Sequence, residues 1–411
     1  MTQEKILGIN GMGRIGKLTL WHHIARKYYS SIVVNLGRPI ARGMPDLIQS
    51  IAKDTTYGSL ARFLYGIQAE PLIKVIKEET GELEIDGLPV KFTLKERNPI
   101  NLDWGTHGVQ IVIDTTGKFR DPSQKATAPG GSLRGHLEGG ARLVIVSAPY
   151  KASGSALPDD SAMLIYGINH NAYQPRTHQV ISAASCTTTA LAHMVKPLLE
   201  DELTQRIVTA SMSTVHAATN TQSTLDTVPK SGSADLRKSR SALNNIILTS
   251  TGAAQALEQA IPEIKEVGFM ADSVRVPIQT GSLIILNCTF SSKLDSMGRS
   301  LINRERLLEI YHKASQQGKS LLRLSMEQNV SSDQVGVDAA VVIEGQATHT
   351  RTGMIYLDPD SLLDLPAEGL TESRISIPVT HAKIFGWYDN EFGSYVNRLG
   401  DLTCYLQDQM I

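Results

Sequence analysis

The stretch Ile6-Leu7-Gly8-Ile9-Asn10-Gly11-Met12-Gly13-Arg14-Ile15-Gly16 decides how the rest of the chain is read. Ile6 to Ile9 is a short apolar run, which predicts a buried strand. After the glycines, Ile15, Leu18 and Ile24 recur at roughly helical spacing to about Lys27. Ile32-Val33-Val34 then predicts a second strand. Strand, glycine turn, helix and strand form the opening unit of a doubly wound sheet. In that setting G-x-G-x-x-G marks a dinucleotide turn. Gly11 permits the tight bend, Gly13 lets the backbone approach a pyrophosphate, and Gly16 lets helix and strand pack closely. Met12, Arg14 and Ile15 complete the cofactor turn, and the helix N-terminus offers N–H groups and a positive dipole end to the phosphates.

The second strand ends Asn35-Leu36-Gly37-Arg38. NAD sites usually place an acidic residue there, about 20 residues past the glycines, to bind the ribose 2′-hydroxyl. No Asp or Glu occurs between Glu4 and Asp46. Arg38 can instead pair with a 2′-phosphate. NADP therefore fits better than NAD, with NAD still open.

Working outward, 411 residues suit two or three domains with sizeable cores. Apolar residues make up 41% and charged residues 20%, the balance of a globular protein. Lys plus Arg number 40 against 41 for Asp plus Glu, which gives no global basic field for nucleic acid. Three cysteines without ligand spacing exclude a disulfide framework and a Cys-rich zinc module. The eleven histidines show no clustered ligand pattern, so no metal is expected, and His22-His23 is read as a solvent-facing pair on a helix. Apolar runs such as Gln110–Asp114 and Leu143–Ala148 are too short to span a bilayer. The N-terminus lacks the features of a secretory signal, so no membrane partner and a cytoplasmic address are expected. Strands are predicted at Gly108–Asp114, Arg142–Ser147, Ile207–Val215 and Ser282–Phe290. Helices are predicted at Leu191–Leu199, with Pro197 shifting or kinking its end, and at Arg304–Gln317. Tyr395–Gln409 is mostly helical in pattern.

Ser185-Cys186-Thr187-Thr188-Thr189 lies just before the predicted Leu191–Leu199 helix, where a thiol feels the positive end of a helix dipole. His216 ends a strand-like run. A cysteine and a histidine able to hold a proton form the usual activated-thiol pair. On spacing alone, His216 is equally a structural histidine.

Together these residues resemble the phosphorylating glyceraldehyde-3-phosphate dehydrogenases. The match is carried in family order by Gly8 through Gly16, Ser147-Ala148-Pro149, Ala184 through Thr188, His216 with Thr219, and Trp387-Tyr388-Asp389-Asn390-Glu391. Ser250 through Ala254 and Val274-Arg275-Val276-Pro277 add to it. The resemblance implies an α/β fold class: a Rossmann-type doubly wound dinucleotide-binding domain over 1–184, completed by a C-terminal helix at about 388–411, and an α+β catalytic domain over 185–387. It implies that Cys186 attacks a sugar-phosphate aldehyde, that His216 takes the proton, and that inorganic phosphate cleaves the thioester to an acyl phosphate. Asn390 would orient the nicotinamide, and Arg97, Thr116 and Ser147 join the cofactor set. Thr219 and Arg275 would hold the substrate phosphate. Ser185, Thr187, Thr251 and Gly252 would surround the attacking phosphate, and Lys238 stands in the phosphate set where many members have arginine. A homotetramer working in glycolysis and glucose metabolism is implied as well.

The chain departs from the family pattern in several places. Thr189 replaces the usual asparagine and His193 the usual proline. The loop Thr224–Leu236 is longer by three residues, and 120–131 and about 350–379 look inserted. Phe392-Gly393-Ser394-Tyr395-Val396 is one residue longer than the common motif. These changes leave two other readings open: a dehydrogenase for erythrose 4-phosphate or another phosphorylated aldehyde, and a non-catalytic dinucleotide-binding relative.

Overall fold

The computed structural model of the chain describes residues 4–410 except 69, 71, 95, 152–155, 230, 319–320 and 358–374. The chain forms two compact units, residues 1–189 with 389–411 and residues 190–388.

In the first unit, seven strands run parallel in the order Ser161–Met163, Val180–Ser182, Leu143–Val146, Ile111–Asp114, Ile6–Asn10, Ser31–Asn35 and Leu88–Thr93. Glu82–Ile85 and Ile73–Lys77 add an antiparallel edge. Ile111–Asp114 and Leu143–Val146 are buried at every position, as strands covered on both faces must be. The order reverses between Ile6–Asn10 and Ile111–Asp114, the switch point where ligands bind in such sheets. The helix Arg14–Arg26 follows the glycine turn. The C-terminal helix Asn397–Gln409 joins the same core through Leu399, Leu402 and Leu406. Arg26 fastens it, donating to Asn397 O at 2.8 Å and pairing with Asp401 at 2.8 Å.

The histidine pair on Arg14–Arg26 is not solvent-facing: His22 is 7% and His23 0% exposed. Phe392 and Tyr29 pack against their rings. Burial, with the charge of Arg26 behind it, pulls His22 down to about 3 and His23 well below its ordinary value.

In the second unit, a mixed sheet runs Ile247–Thr249, Gly268–Val276, Ile207–Ala217, Ser282–Ser291, Ile375–Tyr388, Val341–Glu344 and Leu322–Ser325. Ser282–Ser291 alternates buried and half-buried residues, so one face lies in the core. The helical turns after Ala190 cross that sheet closely. A Cβ on Gly386 would sit 2.5 Å from Met194 Sδ, and Tyr311 donates to Met194 O at 2.8 Å. Of the surplus segments, Arg120–Gly131 is a chain of turns without helix or strand. The ends of 350–379 pair as a hairpin, Leu357 opposite Ile375, and 358–374 falls outside the described residues.

Candidate active site

The glycine turn has the form its sequence predicts. Gly11 has φ +99° and its N–H donates to Asn35 O at 2.8 Å. A Cβ on Gly16 would lie 2.0 Å from Gly11 O, so this glycine is demanded by packing. Gly13 is different: it is exposed, and a Cβ there would meet nothing within 4 Å. It is the N-cap of Arg14–Arg26, with no side-chain cap and no acidic residue in the first turn. Among the described residues no contact demands this glycine, and its bare backbone beside uncapped N–H groups suits a pyrophosphate. Met12 and Ile15 turn their side chains to the core, leaving their backbone to the turn.

Arg14 has a second occupation that sequence reading missed. Its guanidinium contacts Asp54 and Glu391, with Nε 3.1 Å from Glu391 Oε2. Asp54 also pairs with Lys17 at 2.7 Å and accepts from Thr56 N and Tyr57 N. Tyr57 donates to Asp389 Oδ1 at 2.7 Å. Asn390 thus stands between two anchored carboxylates, Asp389 and Glu391. The motif around Asn390 was legible; Asp54 and Tyr57 left no signal.

At the end of Ser31–Asn35, the buried Asn35 side chain is fully used. It donates to Asn10 Oδ1 at 2.8 Å and Glu96 O at 3.1 Å, and accepts from Gly37 N at 3.2 Å. Arg38 is exposed and has no ion pair among the described residues. Arg97 comes to the same turn, its Nε donating to Gly37 O at 3.0 Å. The nearby Glu96 carboxylate accepts from the N–H groups of Asn98 and Arg97, which hold it below the usual range. Thr116 is held by Asp114 at 2.7 Å, and Ser147 N bonds Asp114 O at 3.0 Å. Asp114, fully buried, also binds Asn10 at 2.7 Å and His136 at 3.1 Å. Trp104 donates to the other ring nitrogen of His136, so its Nε2 carries the proton toward Asp114.

Cys186 opens the helix Cys186–Leu199, which begins five residues earlier than the apolar pattern suggests. Ser185 caps it, its Oγ accepting from Thr188 N at 3.1 Å. Cys186 is half-buried, whereas Cys288 is buried, with burial pushing its thiol up to about 12. Cys404 is half-buried, and burial pushes it up to about 11. Pro197 sits inside the last turn and does not end the helix.

In the second unit, His216 and Arg275 lie opposite each other on paired strands. His216 Nδ1 is 2.8 Å from Ala217 O, and Arg275 Nη1 reaches the same carbonyl at 3.0 Å and contacts the ring. Burial and the Arg275 charge lower His216 to about 3. Thr219 bonds Gln222, while Lys238 is exposed on the short helix Leu236–Ser239. The longer loop is pinned to that helix, Thr227 N donating to Ser239 O at 2.8 Å and Asp226 pairing with Arg240 at 2.9 Å. Thr251 and Gly252 open the helix Ala253–Ala260 and make no hydrogen bond with Thr219 or Lys238 among the described residues. Among the described residues no cluster of His, Cys, Asp or Glu has metal-site geometry, and no helix is long and apolar enough to cross a membrane.

Residues 5–122 match the family model described as glyceraldehyde 3-phosphate dehydrogenase, NAD binding domain, and residues 185–356 match its C-terminal domain. A glyceraldehyde-3-phosphate dehydrogenase of Streptomyces coelicolor is 33% identical over 410 residues, covering 98% of this chain and 99% of that protein. The chain belongs to the glyceraldehyde-3-phosphate dehydrogenase family. Glyceraldehyde-3-phosphate dehydrogenase 1 of Streptomyces arenae is 36% identical over 401 residues, covering 97% of each chain. One from Bacillus cereus is 30% identical over 402 residues, covering 97% of this chain and 98% of its own. Thr189, where this family usually has asparagine, is buried inside the first helical turn, its N–H bonded to Ser185 O at 2.8 Å. The turn at Cys186 therefore closes without the asparagine.

Proposed function

We propose that this chain is a phosphorylating glyceraldehyde-3-phosphate dehydrogenase that acts through a thioester on Cys186. The observation that carries the reading is the position of Cys186, half-exposed at the first residue of a helix capped by Ser185. N–H groups at a helix start favour negative charge, and so a reactive thiolate. Cys186 Sγ adds to the aldehyde carbon to give a thiohemiacetal. His216, neutral at physiological pH, takes the hydroxyl proton. The oxidised dinucleotide, when bound, supplies the acceptor for the hydride. An oxygen of inorganic phosphate then attacks the thioester carbon and expels the Cys186 thiolate, giving an acyl phosphate. Arg275 and Thr219 hold the substrate phosphate, with Lys238 nearby in sequence. Ser185, Thr187, Thr251 and Gly252 serve the attacking phosphate through hydroxyl and N–H groups.

The glycine turn, Thr116, Ser147 and Asn390 hold the dinucleotide. Arg14 contributes its backbone and uses its side chain as a brace. NADP is preferred over NAD: Asn35 is saturated by its neighbours, and the exposed Arg38 and the Arg97 that reaches the same turn supply guanidinium groups able to pair with a 2′-phosphate. The enzyme works as a homotetramer. The exposed apolar residues Val228 (90%), Ile246 (75%) and Met270 (69%) support burial against other copies.

The nucleophile is tested by mixing the protein with glyceraldehyde 3-phosphate and oxidised dinucleotide without phosphate, then quenching in acid. Mass spectrometry should find the acyl group on the peptide carrying Cys186. An adduct elsewhere, or none, rejects the mechanism.

A further inference from the structure

The residue added after Glu391 is taken up as a single π turn, Phe392–Val396, closed by Val396 N donating to Glu391 O at 2.8 Å. A π turn absorbs one extra residue without breaking a helical run and recurs at functional sites. It leaves Tyr395 buried, 4% exposed, with its hydroxyl donating to the carbonyl of Ala184 at 3.1 Å. Ala184 has φ +55°, a left-handed conformation that a residue with a Cβ disfavours. It sits directly before Ser185 and Cys186, in the turn from Val180–Ser182 to the Cys186 helix. Its N–H is held at the other side by Ser182 Oγ at 3.1 Å. Burial and the neighbouring Cys186 push the Tyr395 phenol up, so it stays a donor throughout the neutral range.

We infer that Tyr395 is a positioning residue for Cys186: its hydroxyl clamps the Ala184 carbonyl, fixes the left-handed turn, and so sets where the thiol stands at the helix N-terminus. The inference rests on the reading of Cys186 as nucleophile.

Tyr395→Phe keeps the ring and removes only the hydroxyl. In the full-length protein, kcat for aldehyde oxidation should fall about five- to twentyfold, the scale of one lost hydrogen bond, with KM for the dinucleotide within about twofold. The pH midpoint for alkylation of Cys186 by iodoacetamide should rise by roughly half a unit or more as the thiol loses its place at the helix N–H groups. Adding Ala184→Gly should restore at least about half of the lost kcat, because glycine holds a positive φ without a clamp. A Tyr395→Phe protein with unchanged kcat and alkylation profile overturns the inference, as does a defect that Ala184→Gly leaves untouched. A Cys186→Ser protein that still oxidises the aldehyde defeats the nucleophile reading and this inference with it. An inactive Cys186→Ser beside an unaffected Tyr395→Phe defeats this inference alone.

Discussion

Replacing Arg14 by Met removes a guanidinium from between two carboxylates. Asp54 has a side chain with no exposure, and that of Glu391 is 13% exposed. Stripping one partner from a buried pair costs about 3–5 kcal/mol when nothing compensates. Asp54 is compensated in part, since Lys17 stays at 2.7 Å and the amides of Thr56 and Tyr57 at 2.9 and 3.1 Å. Glu391 keeps no other side-chain partner among the described residues, but some water reaches it. The expected loss is therefore about 2–3 kcal/mol. Arg14→Lys keeps the charge without the fork across both carboxylates and should lose about half as much. The assay is urea unfolding of the full-length protein. Burial pushes Asp54 up, but Lys17 and Arg14 outweigh it and hold it below its ordinary value. Its contribution is thus complete above about pH 4 and lost only as pH falls through the lowered folded value, so the Arg14→Met penalty should be flat between pH 7 and 5. In a double-mutant cycle, Arg14→Met with Glu391→Gln should cost at least about 1 kcal/mol less than the sum of the singles. A single-mutant loss under about 0.5 kcal/mol, or strict additivity, refutes the bracing role.

The two glycines flanking Arg14 should separate folding from binding. Gly16→Ala drives a Cβ to 2.0 Å from Gly11 O and should cost about 1–3 kcal/mol or more in stability. Gly13→Ala meets nothing within 4 Å among the described residues and should leave stability within about 0.5 kcal/mol, while dinucleotide affinity in a fluorescence titration drops about tenfold or more. The buried His22, His23 and His216 stay neutral when folded and take up protons once unfolded, so stability should fall as pH drops from about 6.5 toward about 3. His23→Leu should flatten that slope by up to about 1.4 kcal/mol per pH unit in unfolding titrations; an unchanged slope contradicts the assignment. Arg38→Asp should raise KM for NADP about 10- to 100-fold and change that for NAD by less than about threefold; equal effects on both would remove the 2′-phosphate role.

What the sequence made legible was local. The glycine turn, its strands and its helix lie within one short run, and their spacing carries their geometry. Arg304–Gln317 was readable because Leu307, Ile310, Tyr311 and Ala314 recur at helical spacing. The Cys186 helix was read short because its first turn is one Cys and three Thr, and the cap that starts it is a hydrogen bond rather than a pattern. The burial of His22 and His23 depends partly on Phe392, which packs on His22 from the far end of the chain and cannot be seen from the polarity of the pair. Arg14 was readable as part of the fingerprint but not as a brace, since its partners lie 40 and 377 residues away. The same distance hid Tyr395 and Ala184, 211 residues apart. The extra residue before Asn397 was visible, but its form as a π turn was not.

The central claim is a phosphate-dependent oxidation through Cys186. Its most direct test is steady-state turnover of glyceraldehyde 3-phosphate with NADP or NAD, with and without inorganic phosphate. The account predicts rapid reduction only when phosphate is present, an acyl phosphate as product, higher kcat/KM with NADP, and no turnover for Cys186→Ser. Equal turnover without phosphate, with free acid as product, would contradict it.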